Sequence, residues 1–177
     1  MRRIKASILG GLAAGLTMSL AMELGRRSGV LHKTLAENAE DWLDRMADTR
    51  RHIGRNGTAA VEQANHMAAA AAFGFGYFLL RERVSELPAW ILGALYGGGL
   101  YIANIAGIAP LIGLTEGEQN APASVRAERF GLHLLYGIVT AAVAERLTTE
   151  SAQDKGAEDK CERRPAGTVP HLASPRA

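Results

Sequence analysis

From Leu87 to Leu114 the chain runs for 28 residues without a formal charge. As a helix that stretch covers about 42 Å, more than the ~30 Å hydrocarbon core of a bilayer. Uncharged runs of such length read as membrane spans. Pro88 falls where a first helical turn tolerates proline, and Trp90 and Tyr96 occupy the entering half, as interfacial aromatics do. Pro110 removes the bond to the Ala106 carbonyl and predicts a kink or an end. The mean hydropathy of −0.01 is that of an ordinary soluble protein. The average hides the pattern, because charges are gathered between apolar blocks.

Three further blocks follow the same logic. Ala6 to Met22 lies between Lys5 and Glu23 and, at about 25 Å, is just long enough to cross. A cleavable signal peptide is the rival reading, from Arg2, Arg3, Lys5 and the Ser19-Leu20-Ala21 site, but the apolar stretch exceeds a usual signal core. Ala59 to Leu80 starts polar, continues as MAAAAAFGFGYFLL and ends at Arg81-Glu82-Arg83. Phe130 to Ala144 is short and spans only if its helix begins near Pro122, with flanking charges reaching the interface. The sequence therefore predicts an all-α polytopic membrane bundle of four spans, at about 6–24, 59–80, 87–113 and 125–146.

Between the first two spans, Leu31, Leu35, Trp42, Met46 and Ile53 recur on one helical face. They predict an amphipathic helix over 31–54, stopped by Gly54 and Asn56-Gly57. Trp42 with Arg50, Arg51 and Arg55 suits the membrane surface; a cap over the bundle suits the same pattern equally. Residues 148–177 are polar and charged, and composition predicts a disordered tail.

Composition closes several function classes. A net charge of +2 with no aromatic residues interleaving the basic ones excludes a nucleic-acid partner. One cysteine, Cys161, permits no intrachain disulfide or thiolate metal site. Gly numbers 20 and aromatic residues only 6%, which fits closely approaching membrane helices. Gly11 with Gly15 and Gly93 with Gly97 are the helix-packing candidates. Gly74-Phe75-Gly76 and Gly97-Gly98-Gly99 lie inside apolar helices and serve close contact, not phosphate binding.

Four alternating spans put both termini on one side with the loop at 81–86. That side holds eleven Lys and Arg residues against nine, so the count decides little. Arg2, Arg3 and Lys5 ahead of the first span favour a cytoplasmic placement of both termini. The same alternation brings Glu23, Glu62, Asn65, His66, Asn104 and His133 toward one face of the bundle. Polar residues there most simply sit at headgroup depth or bond between helices, at about 0.6 kcal/mol each. A proton or cation site is the functional reading, because an ionisable group at mid-membrane costs about 2.5–3.5 kcal/mol. Glu62, His66 and His133 could hold zinc or iron by chemistry, but no HExxH or ExxH motif supports a metal, and no cofactor is expected. Met18 and Met22 beside Glu23 read as packing. No nucleophile–base arrangement can be assembled, so catalysis is not expected. His66 and His133 also open similar blocks, which a duplicated two-helix unit would explain.

The glycine-rich first span, the segment GALYGGGLYIANIAGIAPLIGL (93–114) and HLLYG (133–137) resemble the YagU-like inner-membrane proteins. The resemblance covers about residues 6–147. It implies a small bacterial inner-membrane protein of three or four spans with no established catalytic role and no secure site residues to carry over. Its partners would be the lipid bilayer and other membrane proteins or further copies of itself. The charged segment 33–57 and the tail lie outside the resemblance.

Overall fold

A computed structural model describes residues 2–29 and 35–162. Those residues form α1 (Arg2–Arg27), α2 (Leu35–Ala47), α3 (Thr49–Arg83), α4 (Ala89–Leu111) and α5 (Ala123–Glu162), with no strand among them. Three helices, α1, α4 and the Ala123–Glu150 part of α5, are long and apolar enough to cross a membrane. The fourth expected span is the end of α3. Its alanines and glycines are only weakly apolar and follow a polar half, so α3 does not join that set.

Close approach organises the bundle. Gly11 of α1 lies on Ala70 and Gly74 of α3, and Gly15 lies on Ala70. Ser19 accepts a hydrogen bond from Gln63 at 3.4 Å further along, so α1 and α3 run antiparallel. Gly10 meets Thr140 and Ala144 of α5, while Gly93 and Gly97 of α4 meet Gly137 and His133. All four packing glycines named from sequence are thus at helix crossings, joined by Gly10, Gly74 and Gly137. Two tyrosines tie the pairs together. Tyr96 donates to the Phe73 carbonyl at 2.6 Å and Tyr136 to the Ala70 carbonyl at 2.7 Å.

Side-chain size is sorted opposite to a water-soluble core. The buried face of α1 is Ala6, Ser7, Gly10, Gly11, Ala14, Gly15, Met18 and Met22. Its outward face carries Leu9, Leu16, Leu20 and Leu24, each more than half exposed. On α4, Trp90, Leu95, Ile102 and Leu111 point outward in the same way.

The ends differ. At the near end Arg81 closes the α3–α4 turn by donating to the Leu87 carbonyl at 2.6 Å and pairs with Glu145 at 3.5 Å. Arg3 pairs with Glu82 at 3.1 Å there. Arg3 and Ser7 of α1 line one near-end pocket together with Glu145, Thr148 and Thr149 of α5. At the far end α4 changes winding to a π-helix over Tyr101–Ile108 and stops at Leu111. In an α-helix the Pro110 ring would meet the Ala106 carbonyl, and the π-helical stretch lies immediately before that proline.

Three boundaries differ from the sequence expectation. The helix over 31–54 is not continuous: α2 ends at Ala47, and Asp48 takes a left-handed conformation (φ 47). Arg50 braces that corner, pairing with Asp41 at 2.6 Å and Asp44 at 3.5 Å. Residues 31–34 lie outside the described residues. Gly54 (φ 72) then kinks α3, whose helix continues through Asn56-Gly57 instead of stopping. Those residues occupy the first turn after the kink, where N–H groups need no partner four residues back. Helix α5 also passes Thr148, the expected start of the disordered tail, and runs to Glu162; residues 163–177 lie outside the described residues.

Candidate functional site: a pocket at the far end

Beyond the glycine crossings, toward the far end, the helices leave a pocket of about 220 Å³. Its walls are mainly apolar, with Met18 from α1, Phe73 from α3, Leu100 and Ile105 from α4, and Tyr136 from α5. His66, Asn104 and His133 also line it. The antiparallel order of the helices produces this meeting: α1 and α4 finish where α3 and α5 bring their histidines.

The rest of the sequence-derived cluster is elsewhere. Glu23 pairs with Arg26 at 2.9 Å and Arg27 at 2.6 Å on its own helix, at the surface. Asn65 is exposed on α3, and Glu62 is half-buried outside the pocket lining. Among the described residues no group of three or more His, Cys, Asp or Glu could hold a metal ion.

Each histidine is fixed by a backbone carbonyl. His66 Nε2 is 3.3 Å from the Gly15 carbonyl oxygen, across the α1–α3 crossing. His133 Nδ1 is 2.8 Å from the Arg129 carbonyl oxygen one turn earlier. A carbonyl only accepts, so Nδ1 carries a proton, and in the neutral form of the ring Nε2 is the acceptor. His133 is 8% exposed, and the Tyr101 ring stands edge-on to it at 6.0 Å.

Sequence reasoning missed the clasp that closes this end. Glu118, in the α4–α5 loop, is 9% exposed and accepts from Tyr101 Oη at 2.6 Å and from Arg129 Nη1 at 2.5 Å. Gly117, at φ 93, makes the turn that carries it inward. The pair is well buried on both sides, with side-chain exposures of 12% for Arg129 and 10% for Glu118. Helix α2 grips the same loop from outside. Trp42 donates to the Ile112 carbonyl at 2.8 Å and Arg45 to the Gly113 carbonyl at 3.1 Å. Ile112 and Leu114 line the pocket, so the clasp and α2 hold one of its walls. The only sequence signal for Glu118 was its place after the long uncharged run, which does not mark a buried carboxylate.

The arrangement offers hydrogen bonds inside an apolar enclosure. It presents no nucleophile beside a base. Searches for a matching family model, curated protein or solved structure found none.

Proposed function

We propose that the chain is a polytopic protein of the bacterial inner membrane, akin to the YagU-like proteins, which acts by binding or assembly and not by catalysis. One observation carries the reading: leucines and isoleucines face outward while glycines and alanines face each other. Water would reject that surface, whereas lipid accepts it and leaves van der Waals packing to hold the helices. On this reading α3 is the fourth span, since it is enclosed with α1 at the Gly11–Gly74 crossing. Helix α2 lies over the far end, and Arg2, Arg3 and Lys5 hold both termini on the cytoplasmic side. Other membrane proteins or a second copy of the chain are its partners beside the bilayer.

Alkaline carbonate washing tests the first element. The protein is expected to stay with the membranes, and its recovery as a soluble monomer without detergent would sink the proposal. A second reading, a small proton or cation channel, is favoured by the meeting of His66, Asn104 and His133. Against it stand the tight crossings of Gly11 with Gly74 and of Gly93 with Gly137, where backbone fills space between the helices. Proteoliposomes are expected to show no proton or potassium flux above empty vesicles; clear flux abolished by His133→Phe establishes the second reading.

A further inference from the structure

We propose that the far-end pocket is a binding site for an uncharged, lipid-soluble small molecule whose apolar body ends in a hydroxyl group. The walls are apolar enough to take such a body, and the volume of about 220 Å³ suits a single ring or a short chain segment. The head group is set by what the walls still lack. His133 Nδ1 is committed to the Arg129 carbonyl, so the free nitrogen of its neutral ring is an acceptor. That nitrogen has no partner among the described residues, although the residue is more than nine-tenths buried. An acceptor in apolar surroundings is satisfied by an O–H donor. The Asn104 amide lines the same space and also has no hydrogen bond among the described residues, so it can bond to the hydroxyl oxygen. A carboxylate or phosphate head does not fit this chemistry: no Arg or Lys lines the pocket, and Arg45 and Arg129 at this end are engaged by the Gly113 carbonyl and by Glu118. The π-helical stretch contributes as well, because its wider winding includes Asn104 and Ile105 of the wall.

A quinol-type ring and an aliphatic alcohol share this chemistry, and two ligand pairs separate them. Calorimetric titration of the full chain in detergent micelles would use 4-hexylphenol against 4-hexylanisole, and 1-decanol against decyl methyl ether. Within at least one pair the hydroxyl member is expected to bind roughly tenfold tighter than its ether, the worth of one buried hydrogen bond. Stronger binding of the phenol assigns a ring-headed ligand, and stronger binding of the alcohol assigns an aliphatic one. In His133→Phe, which keeps a ring and loses the acceptor, the preference is expected to vanish while the ethers bind as before. Ala69→Leu, which fills the pocket from α3, is expected to weaken every ligand. Equal binding of hydroxyl and ether by the unmodified chain overturns the proposal, as does a preference that survives in folded His133→Phe. The comparison within the unmodified chain decides the matter even if a variant fails to fold. The site presumes a membrane setting for its ligand, but the titration in micelles is independent of the carbonate experiment, so the two ideas fail separately.

Discussion

Gly97→Ala places one methyl group against the backbone of α5. Its carbon would sit 2.9 Å from the His133 carbonyl carbon and 3.1 Å from the Leu134 Cα, with the His133 carbonyl oxygen nearer still. Backbone atoms cannot rotate away as a side-chain tip can, so α4 must back off from α5 by about 0.5–1 Å. A gap of that size forfeits a quarter to a half of each contact, and a packed group makes about 40–60 contacts of about 0.1–0.2 kcal/mol. The loss along the seam is then on the order of 2–4 kcal/mol. Alanine recovers about 1 kcal/mol by its better helix propensity. The seam term wins, and the net cost is about 1–3 kcal/mol. Gly99 is the internal control: a methyl group there meets nothing within 4 Å. Gly99→Ala should therefore be neutral or stabilising by up to about 1 kcal/mol. Thermal unfolding in detergent, followed by circular dichroism, should rank Gly99→Ala at or above the unmodified chain and Gly97→Ala several degrees below it. Equal melting of the two variants would show that the glycine seam does not set the distance between α4 and α5.

Glu118→Ala leaves Arg129 charged and buried, which should cost about 3–5 kcal/mol, whereas Glu118→Leu with Arg129→Leu should recover most of it. Unfolding in detergent checks this, and a double variant no better than the single would refute the ion-pair account. Trp42→Phe removes one hydrogen bond to the α4–α5 loop, worth about 1 kcal/mol; hydrogen exchange should quicken in α2 and leave α1 unchanged. His66→Cys with His133→Cys in a Cys161→Ser background should crosslink with a short bismaleimide, and no crosslink beside an efficient control pair would separate the two helices.

The parts of the fold legible in sequence were those written as long patterns. The uncharged run at 87–114 extends over several turns, and the one-turn glycine spacings at 11/15 and 93/97 mark faces for close packing whatever the partner. Alternation of direction puts Glu23, Glu62, Asn65, His66, Asn104 and His133 at one end, and of these His66, Asn104 and His133 share the pocket. What remained hidden depended on single residues and their neighbours. Glu23 carries the same charge whether it faces the bundle or pairs with Arg26 and Arg27, and only the helix register decides. Glu118 looks like an ordinary loop carboxylate until Gly117 turns it toward Arg129. The break at Asp48 has no glycine or proline to announce it, and Asn56-Gly57 carries a stop signal that the kink at Gly54 makes irrelevant. The π winding before Pro110 is a local change of helix type that the sequence signals only as a kink or an end.

The glycine crossings lie between two pockets, one at each end of the bundle. On the membrane reading proposed above, the potential falls mainly across the layer of lowest polarisability, where the glycine crossings would lie. From Ala6 to Met22, Gln63 to Leu80, Leu87 to Leu114 and Phe130 to Ala144 the chain carries no Asp, Glu, Lys or Arg. Each elementary charge moved through such a field is worth about 2.3 kcal/mol per 100 mV. With no fixed charge there to move, energising the membrane does almost no electrical work on the fold. Whatever the molecule binds, its conformational balance should be set by chemistry at the two ends and be indifferent to voltage.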